Sequence, residues 1–155
     1  MDESKKAKHR ALYLLERMDR TEQELRNKLA KNYEPEIVEE ALEYVKKYHY
    51  IDDLRYAKNY IIYKGQVKSR KQIEQELILK KGVSREFVRQ AFDESELEDE
   101  CRLIRRWMEK KKFDPETADR QGIQKMYLFL ARKGFKTEDI RKELTQKRIS
   151  LLDIT

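Results

Sequence analysis

The side chains with the chemistry for a reactive or metal-binding centre are few in this chain: two histidines, one cysteine, a pair of adjacent aspartates and four glycines. His9 sits among charged neighbours and His49 lies between Tyr48 and Tyr50; neither has a second ligand at metal spacing. Cys101 falls on an apolar helical stripe, which suits a small buried hydrophobe better than a nucleophile. A lone cysteine also rules out an intramolecular disulfide and a cysteine zinc framework. Asp52-Asp53 stands at the start of a helical pattern, where one aspartate caps and the other answers the helix dipole. Glycines 65, 82, 122 and 134 are isolated, so no phosphate-cradling loop is spelled. These residues predict no enzyme, no metal and no cofactor.

The cations carry more information. Net charge is +6, but residues 1–63 are neutral, with 13 basic and 13 acidic side chains. Residues 64–92 hold 8 basic and 3 acidic, 93–100 hold 6 acidic and none basic, and 101–155 hold 15 basic and 8 acidic. This asymmetry predicts a polyanion or an acidic protein surface as partner for the second and third parts. Lys68, Arg70, Lys71, Lys80, Lys81 and Arg85 cluster at expected helix ends, where they can reach phosphates. The run Lys110-Lys111-Lys112 reads equally well as a solvated helix end complementing the dipole. Tyr44, Tyr48, Tyr50, Tyr56, Tyr60 and Tyr63 predict a sealed junction between two units; a minority reading makes one or two of them stacking platforms for bases.

The elements positioning these residues are helices. Charged residues make up 43% of the chain and hydrophobic ones 39%, a mixture that suits thin helices each burying one stripe. A first helix is expected over about Lys5 to Met18, with Ala11, Leu12, Leu15 and Met18 on one face. Thr21-Glu22-Gln23-Glu24 is a capping box, followed by Leu25 and Leu29. Pro35 opens a third helix bearing Ile37, Val38, Ala41, Leu42 and Val45. The pattern then recurs. Asp52 caps a helix with Leu54, Ala57, Tyr60 and Ile61; Ser69-Arg70-Lys71-Gln72 is a second box, followed by Ile73 and Leu77; Gly82 precedes Phe87, Val88, Ala91 and Phe92. A looser third copy has Leu97, Cys101, Ile104 and Met108 on one helix, a second helix from Asp114-Pro115 to Gly134, and Ile140 and Leu144 on a third.

The reading is an all-α chain of three tandem three-helix repeats, elongated or crescent-shaped and solenoid-like. The expected units are 1–50, 51–95 and 96–148, with 149–155 a C-terminal tail and the acidic stretch from Asp93 to Glu100 a hinge. No run approaches a membrane span and the N-terminus lacks a signal-peptide core, which predicts a cytoplasmic protein.

Four motifs, in order, resemble one family. Arg20-Thr21-Glu22-Gln23-Glu24-Leu25 is similar to an "R-S-x-x-E-L" opening, and Tyr50-Ile51-Asp52-Asp53-Leu54-Arg55-Tyr56-Ala57 to a "G-Y-L-D-D-x-R-F-A" signature. Gln72-Ile73-Glu74-Gln75-Glu76-Leu77 with Lys80-Lys81-Gly82-Val83 resembles "R-I-x-x-E-L-x-x-K-G-I", and Arg132-Lys133-Gly134-Phe135 a closing "R-R-G-F". The family is RecX. Two departures stand out: His49 replaces the glycine before the signature, and Gln72 replaces an arginine. The resemblance implies a fold of three-helix repeats. It also implies binding in the groove of the RecA–single-stranded-DNA filament, with inhibition of strand exchange and ATP hydrolysis in recombination, DNA repair and the SOS response.

Candidate contacts to nucleic acid or recombinase are Arg20, Lys68, Arg70, Lys71, Lys80, Lys81, Arg85, Arg132, Lys133 and Lys136. The expected partners are the RecA filament and, through the second and third units, single-stranded DNA, met by a monomer with no membrane. The alternatives from the residues alone are a generic helical nucleic-acid binder, a regulator reading double-stranded DNA, and a pure protein adaptor.

Overall fold

The structure, a computed structural model, describes residues 2–97 and 99–154, with side-chain environments through residue 145. Among these residues the regular structure is all helical: α1 (Glu3–Arg17), α2 (Glu22–Ala30), α3 (Pro35–Lys47), α4 (Asp53–Lys64), α5 (Arg70–Gln75, continued by a π-helical turn Glu76–Lys80), α6 (Arg85–Glu94), α7 (Glu100–Lys110), α8 (Arg120–Arg132) and α9 (Thr137–Ile154). Backbone contacts gather them into two compact units. The first holds residues up to Ile61 together with Gln75–Ser95; the second holds Ile62–Glu74 with the chain from Glu96 onward.

In the first unit α1 presents Ala7, Ala11 and Leu14 to Leu25 and Leu29 of α2 and to Val38, Ala41, Leu42 and Val45 of α3. The small alanines let α1 approach α3 closely. Asp2 caps α1 through the Lys5 N–H (2.8 Å). Met18, expected on the buried face, is instead the C-cap residue in extended conformation and is exposed. The helix ends one residue before it, so its side chain leaves the stripe. At Thr21 the capping box is complete: the hydroxyl accepts from the Glu24 N–H and the Glu24 carboxylate accepts from the Thr21 N–H (3.1 and 3.2 Å).

Helix α3 opens at Pro35 and closes in a Schellman motif. Tyr50 N–H bonds Val45 O (2.8 Å), His49 N–H bonds Lys46 O (3.1 Å), and His49 takes φ +60°. On α6, Val88, Ala91 and Phe92 are buried, but Phe87 remains 40% exposed at the edge of the stripe.

The second unit packs Leu103, Ile104 and Met108 of α7, Met126 and Leu130 of α8, and Ile140 and Leu144 of α9 around Phe135. Ser69 and Ile73 are buried in this unit. Two helix starts differ from the sequence reading. Leu97 precedes α7, because Asp99 caps the helix through the Cys101 N–H (3.0 Å). The Asp114-Pro115 helix does not form there: Asp114 closes a local turn, its carboxylate accepting from Glu116 N–H (2.9 Å) and its carbonyl from Ala118 N–H (3.0 Å). Asp119 caps α8 instead, through Gly122 N–H (2.7 Å). The backbone of α9 continues through Ile154, so 149–154 belong to a helix; position 155 lies outside the described residues.

Candidate nucleic-acid interface

The motif residues fall first into two hydrogen-bonded joints. In the first unit the Thr21 hydroxyl donates to the carbonyl of Lys81 (2.6 Å), and the Glu22 N–H, next along α2, donates to Asp53 (2.9 Å). In the second, the Ser69 hydroxyl donates to the carbonyl of Lys133 (2.6 Å), and the Arg70 N–H donates to Glu100 (2.8 Å). Each accepting carbonyl precedes a glycine in the left-handed region, Gly82 at φ +72° and Gly134 at φ +92°. The second aspartate of Asp52-Asp53 therefore serves an orphan N–H of α2, while Asp52 caps α4 through Arg55 N–H (3.1 Å). Partial burial pushes the Asp53 carboxyl above its ordinary range. Asp99-Glu100 repeats this division of labour.

Several candidate contact residues take part in these structural roles. Arg20 Nε donates to Leu14 O at the end of α1 (3.3 Å). The Lys81 ammonium pairs with Glu24 (3.4 Å) while its carbonyl holds Thr21. Lys71, Lys80, Arg85 and Arg132 are exposed. Lys68, Arg70 and Lys136 do come together, around a cleft of about 310 Å³ in the second unit. That cleft also receives Asp99, Glu100 and Asp139, so cations and acids balance along its lining.

A second cationic site was not read from the sequence. Trp107 of α7 and Phe129 of α8 meet edge to face, with ring centroids 5.4 Å apart and planes at 72°. Lys133 lies 4.7 Å from the Trp107 ring centre and 5.4 Å from that of Phe129; Lys110 is 5.1 Å from Trp107 and Lys111 4.2 Å from Phe129. The spacing carried a signal, because Lys110 and Lys111 follow Trp107 by three and four positions and Lys133 follows Phe129 by four. On α1, Arg10 and Arg17 likewise flank the exposed Tyr13 ring (5.2 and 5.6 Å). The neutral total of residues 1–63 thus conceals a basic face. Shallow acidic ground lies on α3, at Glu36, Glu39, Glu40 and Glu43.

Of the six tyrosines expected to seal a junction, Tyr48, Tyr50 and Tyr63 are exposed. Tyr56 and Tyr60 stack at 6.1 Å, and Tyr60 donates to buried Glu76. Burial, then that hydrogen bond, pushes the Tyr60 hydroxyl up. Cys101 is a buried free cysteine, its thiol pushed up to about 11 by desolvation first, so it is a poor nucleophile at neutral pH. Among the described residues no group of three or more His, Cys, Asp and Glu is gathered as a metal site, and no helix is long and apolar enough to cross a membrane.

Three-helix repeats stapled through cap hydroxyls, with cations displayed at helix ends, define a helical-repeat protein. Its particular lineage follows from three likenesses. Residues 7–44 match the family model for the RecX first three-helix domain, and residues 98–144 that for the RecX third three-helix domain. The chain is 37% identical over 145 residues to Regulatory protein RecX of Caldanaerobacter subterraneus subsp. tengcongensis, covering 92% of this chain and 71% of that one. It is 36% identical over 142 residues to Regulatory protein RecX of Vibrio vulnificus, covering 90% and 92%. Against Regulatory protein RecX of Clostridium perfringens strain 13 it is 34% identical, and spans 65% of that longer chain. A crystal structure of regulatory protein RecX superposes with a TM-score of 0.80 at 25% identity, covering 94% of this chain and 72% of that one. RecX from Lactobacillus salivarius, at 22% identity and a TM-score of 0.74 over 99% of both chains, shares the fold. The chain belongs to the RecX family.

Proposed function

We propose that this protein is a non-enzymatic regulator of the RecA recombinase. It binds the RecA–single-stranded-DNA filament in the cytoplasm as a monomer, and restrains strand exchange and ATP hydrolysis in recombination, DNA repair and the SOS response. Membership of a family whose named members are regulatory proteins carries the reading. Supporting it, the exposed cations at helix ends, including Lys71, Arg85 and Arg132, suit an acidic filament surface or the enclosed phosphates. The repeats divide the work at 1–50, 51–95 and 96–148 in this reading, the last two meeting DNA or acidic protein.

The test is stoichiometry. With RecA in excess and total DNA fixed, the full chain should inhibit DNA-dependent ATP hydrolysis well below one molecule per RecA protomer. A filament blocked at its end needs few molecules, whereas competition for DNA needs a covered lattice. Inhibition only near DNA saturation, relieved by adding DNA, would fit a generic basic binder and sink the proposal. Surface charge variants of the full chain are the right controls. Deleting residues 101–155 would strip the packing from buried Ser69 and Ile73.

A further inference from the structure

The cluster at the ends of α7 and α8 has the make-up of a ligand site rather than of core. Trp107 and Phe129 pack one side against the second unit's core and remain partly exposed on the other. The Trp107 indole N–H donates to Val67 O (3.0 Å), which fixes the plane of the ring. Lys110 and Lys111 are exposed, Lys133 is half-buried, and none of the three pairs with a carboxylate within 4 Å among the described residues. Instead all three ammoniums lie against the two rings.

We infer that Trp107 and Phe129, with Lys110, Lys111 and Lys133, form a platform for single-stranded nucleic acid: bases stack on the rings and the lysines meet the adjoining phosphates. A base stacked on either ring offsets a lysine contact that it displaces. An exposed cation–π contact is worth about two- to fivefold in an equilibrium, while stacking one base on a protein ring is worth about five- to 150-fold. A displaced ammonium gains a phosphate and releases a counterion. A duplex is a poor ligand, because the faces of its bases are already stacked on their neighbours. An acidic peptide is poorer still, since carboxylates are repelled by the negative face of a ring. The inference deepens the proposed function by placing its DNA contact, and rests on that reading for the choice of DNA.

Trp107 is the one tryptophan of the chain, so its fluorescence reports this site alone. Titrating the full chain with a short oligothymidylate should quench that emission in step with the anisotropy of the labelled oligonucleotide, and duplex of equal length should compete at least tenfold more weakly. Replacing Lys110, Lys111 and Lys133 with Gln should weaken binding more than tenfold and make the log–log salt slope shallower by about 2, at roughly 0.7 per phosphate contact. Phe129→Leu, which keeps an apolar side chain against the core, should weaken binding at least fivefold with the far-UV circular dichroism unchanged. The lysine variants leave the core untouched and decide the matter should that variant unfold. Oligonucleotide binding without quenching, equal binding of duplex, equal quenching by polyglutamate, or an unweakened lysine variant would each overturn the platform. A chain that binds no oligothymidylate yet inhibits RecA also overturns it and leaves the regulator standing. Stacking without RecA inhibition does the reverse.

Discussion

The joints at Thr21 and Ser69 are assembled from corresponding parts. In each, a cap hydroxyl holds a lysine carbonyl at 2.6 Å, an adjacent N–H finds a carboxylate at the head of a later helix, and a glycine turns with positive φ. They differ at the third residue of the capped helix. Glu24 returns a hydrogen bond to Thr21 N–H and an ion pair to Lys81, whereas the buried Oε1 of Gln72 has no hydrogen-bond partner among the described residues. The Thr21 joint thus carries two polar contacts that the Ser69 joint lacks. The Ser69 joint is therefore the looser of the two, and the comparison separates what a joint requires (hydroxyl, carbonyl, carboxylate, glycine) from what tightens it.

The glycines offer the sharpest way to break the joints. A Cβ on Gly82 would stand 2.5 Å from the Gln23 Cβ, and one on Gly134 would stand 2.6 Å from the Ser69 hydroxyl. Left-handed strain and overpacking together predict a loss of about 2–4 kcal/mol for Gly82→Ala in urea unfolding. Gly134→Ala should cost a similar amount and also displace the cap. A loss under about 0.5 kcal/mol at either site would mean that the turn is not held where the joint needs it.

Removing the hydroxyls should rank the joints directly. Thr21→Val deletes a cap, a bond to Lys81 O and the geometry of a complete box, and should cost about 2 kcal/mol; Ser69→Ala should cost about 1 kcal/mol. Equal losses would erase the difference assigned to Glu24 and Gln72.

Smaller effects should come from two Schellman turns, one in each unit. His49 (φ +60°) and Lys112 (φ +54°) occupy the position glycine favours, and Lys112 N–H bonds Glu109 O as His49 N–H bonds Lys46 O. His49→Gly and Lys112→Gly should each stabilise by about 0.5–1 kcal/mol, relief of left-handed strain outweighing the freer unfolded chain. Lower unfolding midpoints for both would contradict the strain argument.

The smallest effect concerns Asp53, whose carboxyl is raised by burial. A raised carboxyl favours folding below its unfolded value, and that contribution is lost as pH rises through the folded one. Wild type minus Asp53→Asn stability should therefore fall as pH rises from about 3 to 6. A difference rising over that range would reverse the sign assigned to its burial.

The sequence by itself determined most of the helical segments, where most of them begin, and most of the residues that face a core, Met18, Phe87 and Leu97 being the exceptions. Thr21-x-x-Glu24, Pro35, Asp52, Gly82 and the Leu25–Leu29 spacing are legible because capping and amphipathic burial act over three or four residues of one helix. Asp114 misled because a short turn and a cap draw on the same side chain, and Asp119, five residues on, stood nearer the apolar stripe. The Trp107–Phe129 site lay half in view, its lysines at legible helical spacings but its two rings on different helices. Tertiary structure alone decided that Asp53 and Glu100 answer N–H groups of other helices, that Thr21 and Ser69 reach lysine carbonyls, and that Ile62–Glu74 packs with the chain beyond Glu96. These bonds join residues far apart along the chain. No local pattern encodes them, because their stability exists only after packed cores have set the distance and excluded the water that would otherwise satisfy each group.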